Sequence, residues 1–208
     1  KLMINKCFLL LLIFTATIGA QSKYENLIKI GSEYALNFEF KEAEKSFNEA
    51  INLDSANPAA FYHISQIHLW FYLGCRDNDE MTIFKEHSDK ALELIENIDE
   101  DNYSPQLYQL KGQIYTGRAM ASGVKDEIVS AFWDSNSAVG AFEDALDLDP
   151  NFSDPYVGIG VFDYALSFVP GMFQWALGIT GLSADKTLGL NNIKFGYDGG
   201  GNSKTEAA

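Results

Sequence analysis

Apolar residues recur along this chain at helical rather than alternating spacing. Leu27, Ile30, Gly31 and Tyr34 stand at i, i+3, i+4 and i+7, one face of a helix. Polar and turn-tolerant residues follow, and Ala43, Phe47, Ala50 and Ile51 repeat the spacing. The pattern predicts helices over Tyr24–Asn37 and Phe40–Leu53, joined as an αα-hairpin. Gly31, Ala43 and Ala50 have little or no side chain, so the two helices can approach closely, with Tyr34 and Phe47 filling the remaining space. One hairpin cannot bury its apolar face alone and needs a neighbour.

Such neighbours follow. Asn57 and Pro58 form a start signal, cap then first-turn proline, for a second unit. Phe61, Ile64, Ser65 and His68 lie there one 34-residue period after the first set. Its second helix, Met81 to about Ile98, carries Phe84, Ser88 and Ala91, and Gly74–Glu80 reads as an insertion. Ser104-Pro105 opens a third unit with Tyr108, Gly112 and Tyr115, and with Lys111 where a large apolar residue is expected. Its second helix, Asp134–Leu148, carries Ala138, Phe142 and Ala145. The insertion around Met120–Phe132 predicts a short extra helix. A fourth unit starts at Asp154 with Tyr156, Ile159 and Gly160, and Asp163 replaces the aromatic.

The eight positions Leu27, Ile30, Gly31, Tyr34, Ala43, Phe47, Ala50 and Ser55 resemble the tetratricopeptide repeat (TPR) pattern of large, small, aromatic and turn residues. The resemblance covers Tyr24–Ala165, most fully in the first unit. It implies an all-α fold: a TPR-like αα-hairpin solenoid, a right-handed superhelix of about three to four irregular repeats. The segment GLSADKTLGL is similar to a stretch of some exported bacterial TPR proteins.

The resemblance also implies a groove lined by the first helix of each repeat. Carried over by register, groove positions are Ile28 and Ser32; Tyr62, Gln66, Leu69 and Trp70; Gln109 and Gln113; and Val157 and Tyr164. Tyr62, Gln66, Trp70, Gln109, Gln113 and Tyr164 are the candidate partner-binding residues. Rings offer area and amides bond backbone groups, which suits an extended peptide or a helix. Core or inter-repeat packing is the competing role, above all for Tyr62 and Trp70. Ile28 and Ser32 leave no basic grip on a C-terminal carboxylate.

Residues 1–20 have the plan of a secretory signal peptide: Lys1 and Lys6, an apolar run from Cys7 to Phe14, then mostly small residues, with cleavage expected after Ala20. The expected organisation is a signal peptide over 1–20, a TPR-like domain over 21–165 and a C-terminal helical extension over 166–208. The Ser203–Glu206 capping box begins a helix that the chain does not complete, so a truncated chain is expected. Export to a bacterial periplasm or cell envelope is the expected location. Cleavage would leave Cys75 as the one cysteine, so no intramolecular disulfide is expected.

Charge narrows the partners. The net charge is −14, and −16 without Lys1 and Lys6 (13 basic against 29 acidic residues), which repels nucleic acid and anionic headgroups. The expected partner is a protein or peptide, with peripheral membrane contact as a further possibility. Val157–Leu182 contains one charged residue, Asp163, and is interrupted by Pro170-Gly171. Three readings stand for it: buried helices closing the solenoid, an interfacial membrane contact, or a subunit interface.

Converging catalytic groups are lacking. His63 and His68 lie five apart, about 140° around a helix, so they cannot share a metal as an i, i+4 pair would. His68, at an aromatic packing place, reads as a core histidine. The acidic runs Asp77–Glu80 and Glu96–Asp101 lack the alternating oxygen ligands and central glycine of a calcium loop. No phosphate loop, nucleophile elbow or paired-cysteine motif occurs. No catalytic residue, metal or cofactor is therefore expected. A non-enzymatic interaction scaffold of the bacterial envelope is the leading expectation. The alternative is a periplasmic small-molecule or lipid-binding accessory protein touching the membrane through Val157–Leu182. A hydrolase whose catalytic domain lies beyond Ala208 is the third.

Overall fold

A computed structural model describes residues 21–168 and 184–201. The expected signal peptide, most of the Val157–Leu182 segment and the last seven residues lie outside them. Helix α1 covers 21–36. It is followed by α2 (Phe40–Leu53), α3 (Ala59–Cys75), α4 (Asn78–Glu96), a single 3-10 turn (Glu100–Asn102), α5 (Pro105–Val124), α6 (Ile128–Leu148), α7 (Asp154–Leu166) and α8 (Lys186–Gly199). Among the described residues there is no strand. The fold is all-α, a TPR-like stack of helical hairpins.

Local chemistry sets the helix starts. Asn57 Oδ1 accepts from the Ala59 N–H at 3.1 Å, and Ser104 Oγ accepts from the Leu107 N–H at 3.2 Å with Pro105 following it. Asp77 caps α4 and Asp185 caps α8 in the same way. Each side-chain oxygen satisfies a first-turn N–H that has no partner inside the helix.

No separate short helix forms at Met120–Phe132. The insertion is absorbed instead by lengthening α5 and α6, to 20 and 21 residues, and they meet at a turn over 125–127. No proline interrupts the segment, so both helices extend until the chain must reverse. The insertion at Gly74–Glu80 likewise lengthens α3 and α4, so that α4 begins at Asn78 rather than Met81.

The first helices of the hairpins form one layer: α3 packs on α5, and α5 on α7. Each second helix leans on its own partner and on the next hairpin, as α4 does on α3 and α5. The core runs along the seam between layers. Phe47, Ala43, Ala50 and Ile64 are buried in its first part; Ala91, Ile95 and Ile114 form the second; Leu69, Phe84 and Ala121 form the third. Tyr24 is buried at the junction of the first two hairpins, where its hydroxyl oxygen accepts from the Ala60 N–H at 3.1 Å.

Beyond α7 the hairpin logic continues. Gly189, Gly196 and Gly199 of α8 lie against α7 and the link before it, with a Cβ at Gly189 standing 2.7 Å from the Gly160 carbonyl oxygen. The early part of α8 meets the late part of α7 and its end meets Ser153, so the two helices run antiparallel.

Candidate functional site

The six candidate residues come from three of the four helices in the first layer. Tyr62, on α3, is 7% exposed and packs with Ala91, Leu92, Ile95 and Ile114. Gln109, near the start of α5, is also buried, at 6%. These two form the floor between hairpins and offer little surface to a partner. Gln66 and Gln113 are half-buried above them, and Trp70 is 61% exposed. Of the further groove positions, Leu69 and Val157 are core residues.

Gln66 is the polar centre of this face. Its Nε2 is buried and meets no acceptor among the described residues. Gly117 makes room for that amide: a Cβ there would stand 3.2 Å from it. This amide donor is sealed between α3 and α5, out of reach of another chain, and its missing bond is a cost that the packing of the two hairpins bears.

Tyr164 is set apart from the other five. It sits at the end of α7, packed edge-to-face on Phe168 at 5.1 Å, with Lys186 Nζ 5.7 Å from its ring centre and 5.4 Å from that of Phe168. The ring is half-buried and joins α7 to α8 through a cation–π contact.

Two histidine environments go beyond the sequence reading. His68 is buried as expected, but it is also polar-bonded. Its Nδ1 lies 2.6 Å from Glu80 Oε2, and its Nε2 lies 3.7 Å from Glu44 Oε1. A carboxylate can only accept, so Nδ1–H donates to Glu80. The three residues come from α3, α4 and α2, separations at which no local pattern could announce them. His63 stacks flat on Phe47, with centroids 4.9 Å apart, and burial pushes its imidazole down to about 4.

Acidic groups crowd the other end of the stack. Burial and then their mutual repulsion hold Glu143 above the usual carboxylate range. Asp144 is also raised, by burial first, while Lys111 opposes the effect. Among the described residues no group of three or more histidine, cysteine or carboxylate side chains could hold a metal. A cavity of about 450 Å³, open to solvent, is lined by Asn78, Met81, Thr82, Lys85, Glu86, Asp89 and Lys125. It contains no convergent donor set.

No family profile matches the chain, and no curated protein matches it either. A solved structure from a functional characterisation of Pseudomonas aeruginosa pilF is similar at 14% identity, covering 90% of this chain and 81% of that one, with a TM-score of 0.35. A superposition this loose carries no functional assignment.

Proposed function

We propose that this protein is a non-enzymatic scaffold of the bacterial cell envelope, exported by cleavage near Ala20. It grips an extended peptide or a helix of another protein on its first-helix layer. The observation that supports this reading is Trp70, 61% exposed on the first-helix layer, with Gln66 on the same helix and Gln113 on the next first helix both half-buried. Trp70 supplies apolar area on the same helix as Gln66, while Tyr62 and Gln109 form the floor. Tyr164 extends the surface toward the last hairpin. Amides spaced along stacked helices suit successive carbonyl and N–H groups of an incoming backbone, and the ring adds most of the affinity.

The test places a photo-crosslinking residue at Trp70 or Gln113 of the full chain in envelope extract. One crosslinked protein should dominate. It should be lost from a Gln66→Ala/Gln113→Ala variant with unchanged far-UV circular dichroism. A folded variant that retains the same crosslinked protein sinks the groove reading.

A further inference from the structure

Antiparallel hairpins return the chain to the same side, so the turns of the first three hairpins lie at one end of the stack and the links between hairpins at the other. The two ends differ sharply in chemistry. Residues 52–59, 96–105 and 147–155, the links, hold eight carboxylates and no lysine or arginine. At the turns, residues 36–41, 74–78 and 123–129 hold four carboxylates against the three cations Lys41, Arg76 and Lys125, with Asp79 and Glu80 following on α4.

The less acidic end also exposes more of the large apolar side chains than the link end, where Leu53 and Leu148 are exposed. Leu36 and Phe38 project at the first turn, and Phe38 is 79% exposed. Ile128, Val129 and Trp133 project from the first two turns of α6, with Val129 70% exposed. The Phe38 backbone has φ 63°, a left-handed conformation that costs a non-glycine residue energy, and glycine would relieve it while withdrawing the ring. No helix among the described residues is long and apolar enough to cross a membrane.

We propose that this end docks on the interface of a zwitterionic lipid bilayer, with Phe38, Ile128, Val129 and Trp133 as the inserting side chains. Charge selects the occupant. An anionic surface would be repelled by the net −14, and a second copy meeting this end would have to match separate protruding tips with its own. A basic protein would be drawn to the opposite end. A zwitterionic surface brings no net charge and leaves the acidic links, apart from the buried Asp154, on the side away from the bilayer. Separate protruding tips need no complementary partner shape when the surface is fluid, and tryptophan and phenylalanine favour the headgroup boundary. The docking is peripheral and leaves the groove of α3 and α5 to its own partner.

The experiment uses the full chain with Trp133 as its one tryptophan (Trp70→Phe, Trp175→Phe) and phosphatidylcholine vesicles at physiological salt. Trp133 emission should move to shorter wavelength and be quenched by brominated acyl chains. Phe38→Asp/Ile128→Asp should weaken vesicle partitioning by about tenfold or more, since each substitution replaces an inserting apolar group with a charge. Leu148→Asp, an exposed apolar position at the acidic end, should leave partitioning within about twofold, because it lies away from the inserting tips. Three results overturn the proposal. Trp133 emission could stay unchanged, even if vesicles still sediment the chain through another segment. Leu148→Asp could weaken binding as much as the double variant. Light scattering could reveal a dimer that Phe38→Asp dissolves, which would mean that a second copy covers this end.

Discussion

The ring of Phe142 fills the space left by the missing side chain of Gly112, where a Cβ would stand 2.6 Å from Cδ1. The other side of the same ring meets Gly158 of α7, where a Cβ would stand 2.8 Å from Cδ2. One phenylalanine thus couples two consecutive hairpins. Gly31 and Phe47 repeat the relationship within the first hairpin.

Gly112→Ala should therefore destabilise by about 1–3 kcal/mol, because the ring cannot retreat from a well-packed seam. Gly140, in the middle of α6, has nothing within 4 Å of the same ideal Cβ. Gly140→Ala should raise stability by about 0.5–1 kcal/mol through helix propensity alone. Urea midpoints of the two variants should move in opposite directions.

Phe38, Arg76 and Asp126 have φ of 63°, 58° and 59°, one left-handed residue in each of the first three within-hairpin turns. Glycine adopts this conformation without strain. Phe38→Gly should raise the unfolding midpoint, by about 1 kcal/mol, although it deletes an aromatic ring. A loss of stability would mean that the exposed ring contributes packing beyond its edge contact with Phe40.

Burial lowers the His63 imidazole to about 4 from its ordinary 6.5. Between those values the unfolded chain takes up a proton that the folded chain refuses. The contribution of His63 is therefore complete above pH 6.5 and lost progressively as pH falls toward 4. The loss should be about 2 kcal/mol, below the roughly 3 of a fully dry ring because the residue is partly exposed. His63→Phe should flatten this part of the stability–pH curve in chemical denaturation.

Tyr24→Phe should cost about 1–2 kcal/mol, since the Ala60 N–H then loses its acceptor in a buried site. Burial also pushes the Tyr24 phenol up to about 12. In an alkaline absorbance titration Tyr24 should ionise only near pH 12, or earlier on unfolding.

Arg118 bonds Asp89 of α4 at 2.7 Å and lies 3.9 Å from Asp134 of α6, linking three helices. Because these groups are partly solvated, Arg118→Gln should cost only about 0.5–1 kcal/mol. A double-mutant cycle with Asp89→Asn should recover most of that as coupling, and salt should weaken it.

Much of the fold is legible in the chain because helix periodicity and capping are local. Leu27, Ile30, Gly31 and Tyr34 declare a face within two turns, and Ser104-Pro105 declares a start within two residues. The Gly112 and Phe142 places follow from spacing alone. The lengthened α5 and α6 were not legible: Met120–Phe132 departs from the repeat period, and nothing local says whether extra residues bulge out or prolong two helices.

The candidate site divides along the same line. The sequence by itself determined which residues share the first-helix face, so Tyr62, Gln66 and Trp70 of α3 came out together. Only the tertiary structure decided that Tyr62 lies under the next hairpin while Trp70 reaches water, since burial depends on how far each hairpin rotates against its neighbour. The same holds for His68, whose carboxylate partners lie 12 and 24 residues away, and for the contrast between an apolar and an acidic end. Periodicity acts over a few residues; burial and charge segregation come from segments that only stacking brings side by side.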